Sequence, residues 1–418
     1  MTDTTTPGDR RIAWWVTAVG GLAFVVLAAL VVPWHPVPGG RVTPVDPGSV
    51  FTTSQLARAD DFARWARIWS WGSLAVALVV AAALGFTRLG RSLMQRLPGP
   101  WWVRIVLGVA ACDLIGRLGT LPFAIMLRRL QRANDLTRQS WGGYAIDTVK
   151  GELLDIVVTS IALVMLIGLA RRWRRVWPVV AAGLLAGLVV LGSFVYPLLV
   201  EPVFNNFTSL PDGDLRTGIF ELAGKEGVPV DDVLVADASR RTTTLNAYVS
   251  GFGGTRRVVL YDNVVDDLPR DEALSVVAHE LAHARHRDVV MGTTLGATGA
   301  VMGVGLLALV VGWSQRRSGS GSDGMADVAV VPLVLALMAF GTVLSAPVQN
   351  GISRQIETRA DVDALRVTGE RAPFVELQRQ LALRSMADST PPAWSQWWFG
   401  SHPGVLTRIA IAERVLAD

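Results

Sequence analysis

The sequence is poor in cysteine, lysine, histidine and charge of either sign. A single cysteine, Cys112, among 418 residues excludes a disulfide framework and a thiolate metal site. It lies inside an apolar stretch and reads as a small buried hydrophobe. Charged residues make up 18% of the chain and hydrophobic ones 51%, with a mean hydropathy of +0.39, too apolar for an ordinary soluble domain of this length. The net charge of +4 rests on arginine, since of the 39 cationic residues only Lys150 and Lys225 are lysines. The arginines cluster between apolar runs rather than along one polar face, which suits loop ends at lipid headgroups and not a nucleic-acid surface.

What the sequence does have is long hydrophobic runs. A spanning helix needs about 20 mostly apolar residues, because hydrocarbon cannot satisfy a free backbone N–H or C=O. Seven windows meet that demand: Ala13–Trp34, Ala66–Thr87, Trp101–Leu127, Gly151–Ala170, Val176–Val200, Val289–Trp313 and Val328–Val348. The third carries Arg104, Asp113 and Arg117 and contains Pro122. Asp113 and Arg117 are expected to pair at i,i+4 spacing. The fourth and fifth, joined only by the Arg171–Arg175 cluster, are expected to be antiparallel neighbours. Ser314–Asp327 reads as a flexible exposed linker. The first run follows Arg10 and Arg11 but is longer than a signal core and ends in Pro33, Trp34 and Pro36, so it reads as an uncleaved span. Arginines at 88–96 and 171–175 place the N-terminus inside, those at 128–138 outside, so charge asymmetry alone gives no orientation.

Two polar stretches remain, Glu201–Asp288 and Asn350–Asp418. In the first, Leu215, Ile219, Leu222 and Ala223 follow a 3.6-residue period and predict an amphipathic helix over Asp214–Glu226. Val233–Ala236 and Arg257–Tyr261 predict short strands, with Gly251, Gly253 and Gly254 in a turn between the Asn246–Val249 segment and the second strand.

The segment Asp271–Asp288 reads DEALSVVAHELAHARHRD. Leu274, Val277, Ala278, Leu281 and Ala282 keep helical spacing behind an acidic first turn. His279 and His283 stand four apart on one face, the separation at which two imidazoles grip one ion. Glu280 points beside that ion, placed to take a proton from water and deliver it to a leaving amine. The chain has five histidines, three of them in this one segment, so a chance H-E-x-x-H is rare, on the order of one in several hundred.

Catalytic zinc usually takes three protein ligands. Directly after the seventh run, Glu357 and Asp361 share a helix face, so that Glu357 can reach the metal while Asp361 holds a histidine ring. His286 could ligate by spacing alone but is assigned to a solvated or interfacial position. His402 and Arg408 are candidates to donate to a tetrahedral oxyanion.

In these residues the sequence resembles the type I CAAX prenyl endopeptidases, integral-membrane gluzincins, and their bacterial relatives. Besides His279-Glu280-Leu281-Ala282-His283, the resemblance rests on Glu201-Pro202-Val203-Phe204-Asn205, Leu210-Pro211, Asn246-Ala247-Tyr248, Gly251-Phe252-Gly253, Ser353-Arg354 with Glu357 and Ala360-Asp361, and Ser401-His402-Pro403 with Arg408. It implies zinc, one ion per chain, on His279, His283 and Glu357, with Glu280 catalytic, Asp361 supporting a ligand, and His402 and Arg408 stabilising the transition state. It also implies an edge strand at Asn246, Ala247 and Tyr248 on which a peptide lies by strand addition, and an intramembrane chamber. Ala282 stands where eukaryotic members usually have glycine. The expected fold is mainly α, a polytopic membrane bundle of about seven helices with a small α+β zincin-like portion. Residues 1–200 would form a five-span membrane region and 201–418 the peptidase portion. The expected activity is zinc-dependent endopeptidase hydrolysis of a peptide or protein substrate at a cell membrane, with the active site on the cytoplasmic side and no nucleic-acid partner. A heat-shock-type quality-control protease and a non-catalytic zinc transporter or sensor are the alternatives; Glu280 speaks against the second, because a pure binding site needs no carboxylate beside its ligands.

Overall fold

The structure, a computed structural model, describes residues 7–251, 256–318 and 324–417. The first half is helical: α1 (Pro7–Val31), the turn α2 (Pro47–Val50), α3 (Thr53–Phe86), α4 (Arg88–Arg96), α5 (Trp101–Ala133), α6 (Trp141–Arg172), α7 (Trp177–Leu199) and the turn α8 (Glu201–Phe204). Then come β1 (Phe207–Ser209), α9 (Asp214–Glu226), β2 (Asp232–Ala236), β3 (Ala247–Ser250), β4 (Arg257–Tyr261), α10 (Asp262–Asp267) and α11 (Arg270–His286). The chain closes with α12 (Asp288–Ser318), α13 (Val331–Thr368), α14 (Arg371–Ser385), α15 (Ala393–Phe399) and α16 (Val405–Val415).

Among the described residues, seven helices are long and apolar enough to cross a membrane: α1, α3, α5, α6, α7, α12 and α13. Their outer faces stay bare, with Leu22, Leu30, Val79 and Leu344 each more than 65% exposed. In water so broad an apolar surface would aggregate, whereas hydrocarbon matches it. Trp34, Trp102, Trp141, Trp173 and Trp313 stand exposed near span ends, where amphipathic rings sit at headgroup level. Helices α1 and α12 touch backbone to backbone, since a β-carbon on Gly20 would fall 2.5 Å from Met302 N and one on Gly305 2.5 Å from Thr17 N. Small residues at such crossings are how helices pack where no hydrophobic force separates them from lipid.

The helices outrun the hydropathy windows, because apolarity marks only the stretch inside hydrocarbon while backbone bonding continues into water. Helix α3 starts thirteen residues before Ala66, fixed by a capping box in which Thr52 and Gln55 bond each other's backbone N–H. Helix α6 starts at Trp141, where the Ser140 side chain accepts the Gly143 N–H. The expected partner for Arg117 is corrected: it pairs with Glu152 of the next helix at 2.9 Å. Tertiary packing of α5 on α6 offers a carboxylate across the interface that a one-helix reading cannot see. The linker over Ser314–Asp327 is also shorter than expected. Helix α12 runs on to Ser318, and Met325 and Ala326 are buried in a short turn before α13; residues 319–323, like Gly253 and Gly254, lie outside the described residues.

A four-stranded sheet in the order β1-β2-β4-β3 supports the polar portion. β1 runs antiparallel to β2, β2 parallel to β4, and β3 antiparallel to β4 with Ala247 opposite Leu260. β3 is therefore an edge. Helix α11 packs on this sheet through Val277, Ala278 and Leu281, all fully buried with Val233, Val258 and Leu260. Each such fully buried aliphatic side chain is worth about 1.5–3 kcal/mol, and together they fix the rotation of α11. Its apolar stripe faces the sheet, so its histidine face must look elsewhere, toward α13.

Candidate active site

Helix α11 ends at Arg287, whose left-handed backbone (φ 56°) closes the helix with an N–H to Ala284 O bond and lets α12 leave in a new direction. Helix α13 then returns from the far end of the bundle as one helix of 38 residues, about 57 Å long at 1.5 Å per residue. Hydrocarbon takes up ~30 Å. The remainder is an extension of the seventh span, and it carries Glu357 and Asp361 rigidly against α11.

Three donor atoms converge there. His279 Nε2 lies 3.2 Å from His283 Nε2 and 3.2 Å from Glu357 Oε2, and His283 Nε2 lies 3.7 Å from Glu357 Oε1. One ligand atom from each of the three falls within 4.8 Å of the others. Each imidazole is held from behind by a carboxylate. His279 Nδ1 is 2.9 Å from Asp361 Oδ1, and His283 Nδ1 is 2.8 Å from Asp288 Oδ2. A ring whose Nδ1–H faces a carboxylate presents a bare Nε2 lone pair. Two lone pairs aimed at one point repel unless a cation sits between them. Nitrogens ~2.0–2.1 Å from a tetrahedral ion stand ~3.3 Å apart, close to the observed spacing, so the residues fit a metal.

The charges agree. Glu280, Glu357, Asp361 and Asp288 face the guanidiniums of Arg408, bonded to Asp361, and of Arg359, bonded to Asp288. Among the described residues, Glu280 and Glu357 are left without a bonded guanidinium and can face a cation. Burial opposes a charge on His279, yet Asp361 and Glu357 outweigh it and push its pKa up to about 10; that field attracts any cation, proton or metal. Burial raises the Glu280 carboxyl above the usual carboxylate range, more than the two histidines lower it, as befits a base that must accept a proton.

A cavity of about 850 Å³ joins Glu280 and the ligand atoms to β3, with Asn246, Ala247, Tyr248 and Val249 along one side and His402 on another. His402 Nε2 is 3.3 Å from Glu357 Oε2, its Nδ1 2.9 Å from Ser401 Oγ. Arg354, on α13, donates to the Gln396 and Gly400 carbonyls and so holds the loop that carries His402. The Tyr248 hydroxyl donates to Glu201 Oε2 at 3.0 Å; since Tyr261 N–H donates to Asn246 O and Tyr248 stands opposite Val259, the backbone groups that face outward from the strand edge are those of Ala247 and Val249. Arg408 lies apart from the cavity; its guanidinium is engaged by Asp361, with Nε 2.8 Å from Oδ2. His286 is exposed and paired with Asp363 at 2.6 Å, away from the donor cluster.

Sequence reasoning missed Asp288, Arg359 and Glu201. Asp288 was legible in principle, as the first carboxylate after the second histidine, at the start of α12. Arg359 and Glu201 act only through contacts between distant segments.

The comparisons with known proteins point to a membrane metallopeptidase. Residues 209–415 match Peptidase family M48, and residues 59–206 match the CAAX prenyl protease N-terminal region of five membrane helices. The chain belongs to peptidase family M48. This M48 protein is 25% identical to the uncharacterized metalloprotease YhfN of Bacillus subtilis over 413 residues, which span 96% of each chain. It is 28% identical to a CAAX prenyl protease 1 homolog of Arabidopsis thaliana over 69% of this chain and 68% of that one. The crystal structure of S. mikatae Ste24p has the same fold, at a TM-score of 0.77 over 98% of this chain and 100% of that one, with 18% identity. The protein is thus a multi-pass membrane metalloendopeptidase that depends on a metal cofactor and acts on peptide or protein substrates. Nothing in these matches favours a heat-shock-type protease or a non-catalytic binding protein.

Proposed function

We propose that the metal is one zinc ion per chain, held by Nε2 of His279 and His283 and the carboxylate of Glu357, and that the enzyme cleaves internal peptide bonds of an extended substrate. The convergence of three donors beside a half-buried Glu280 that bonds no other side chain among the described residues carries this reading. The chain divides at residue 200 into a five-span membrane region and a peptidase portion, 201–418, that borrows α12 and α13 from the bilayer. When bound, the ion supplies Lewis-acid polarisation of the reacting oxygens.

The protein's own groups do the rest. The free edge of β3 at Asn246, Ala247 and Tyr248 pairs with the substrate backbone, which orients the scissile bond over Glu280. Glu280 takes the proton of the attacking water and passes it to the leaving amine. His402 donates from the opposite wall to the developing oxyanion. Arg408 contributes indirectly, by fixing Asp361 and through it the His279 ring. Chelation of the purified enzyme is expected to abolish cleavage of a peptide library, and zinc to restore it; cleavage that persists in metal-free protein contradicts the assignment.

Family resemblance favours the active site on the cytoplasmic side. Because α12 leads away from the site and α13 returns to it, a reporter fused at Ser320 must then report the extracytoplasmic side. A cytoplasmic signal from that fusion would reverse the orientation. Prenylated CAAX proteins are substrates of the named relatives' class; for this chain the preferred side chains follow from mapping the cleaved bonds in the same library.

A further inference from the structure

At the end of the bundle away from the catalytic cavity, a crevice of about 690 Å³ opens between the close of α3, the start of α4, the close of α12 and the start of α13. Its floor is hydrocarbon, formed by Leu84, Val311, Pro332 and Leu333, and its rim carries Arg88 and Arg91. The two arginines stand three residues apart and so share one face of α4. Both are exposed, and neither has a carboxylate partner among the described residues. Among the described residues, the one acid at the crevice is Asp327, which accepts the Ala329 N–H at 2.9 Å and caps the turn before α13.

The rim is fixed rather than loose. Met94, one turn beyond Arg91 on α4, is fully buried, and Gly90 lies so close that a β-carbon would fall 2.2 Å from Leu84 O and 2.7 Å from Pro332. A cationic pair is therefore held rigidly above an apolar floor, at the level where spans α3, α12 and α13 begin or end. Arg171 donates to Ala326 O at 3.0 Å, so the Arg171–Arg175 cluster stands at this same end and adds to its positive field.

We propose that this crevice is a binding site for an anionic phospholipid, its phosphate on Arg88 and Arg91 and an acyl chain along the Leu84 and Leu333 floor. The planar guanidinium fork matches phosphate oxygens. The volume lies within the ~300–1,000 Å³ of ordinary small-molecule sites. A soluble phosphate would leave the apolar floor uncovered, whereas a lipid satisfies rim and floor together.

Native mass spectrometry of the full chain released from nanodiscs tests this, with phosphatidylglycerol and phosphatidylcholine supplied in equal amounts. The unaltered protein is expected to retain about one phosphatidylglycerol in preference to phosphatidylcholine. Each arginine near an anionic headgroup is worth roughly fivefold, so Arg88→Gln with Arg91→Gln should weaken phosphatidylglycerol retention about 25-fold. Peptidase activity should be unchanged, and Arg96→Gln, on the same helix but off the crevice, should leave lipid retention intact. Equal retention of the two lipids by the unaltered protein overturns the proposal whether or not the double variant folds. So does undiminished phosphatidylglycerol in a folded double variant, or an equal loss in Arg96→Gln.

Discussion

Glu280→Gln is expected to lower peptidase turnover by about 10²–10⁴-fold, the usual worth of a positioned general acid–base, while the protein keeps its metal. The substitution is nearly isosteric. Among the described residues Glu280 makes no hydrogen bond that holds the fold together, and its neighbours His279 and His283 are oriented by Asp361 and Asp288 instead. The amide cannot accept a proton, so chemistry fails while the donor cluster survives. Metal content measured beside activity separates the two effects. A variant that loses its metal would show that Glu280 is structural, and one that retains full activity would remove it from the reaction.

The second large effect is expected at Arg408→Met. Asp361 is fully buried, with Arg408 on one side and His279 on the other. Removing the guanidinium leaves a buried carboxylate without its cation, which typically costs about 3–5 kcal/mol. The thermal midpoint should fall accordingly. Asp361→Asn provides the contrast, since it removes the charge behind His279 while keeping the shape. Loss of such a supporting carboxylate typically lowers metal affinity about 10–100-fold, so the asparagine variant should be deficient in metal more than in stability. If both variants were as stable and as metal-replete as the unaltered enzyme, the chain of contacts from Arg408 through Asp361 to His279 would carry no weight.

The parts of this site visible in the sequence are those set by local periodicity. His279, Glu280 and His283 declare themselves because a 3.6-residue repeat puts them on one helix, and Glu357 and Asp361 for the same reason on another. The seven spans are legible because hydrocarbon demands long apolar runs. What stayed hidden depends on how separate segments meet. Arg117 reads as the partner of Asp113 from one helix alone, yet it pairs with Glu152 because α6 packs beside α5. The short strand β1 escaped notice, since three residues carry no alternation to detect. Arg408 reads as an oxyanion donor by residue type, but the folded chain turns its guanidinium onto Asp361. The continuity of α13 from span to ligand is a further case, because apolarity stops near Val348 and the helix does not.

Zinc K-edge absorption on the purified enzyme, with metal content determined on the same sample, examines the central arrangement most directly. Two imidazole nitrogens and a carboxylate oxygen around one zinc per chain are predicted, with imidazole scattering reduced in His283→Ala and metal largely lost in Glu357→Ala. An active enzyme without bound metal, or an ion whose coordination is unchanged by both substitutions, would contradict it.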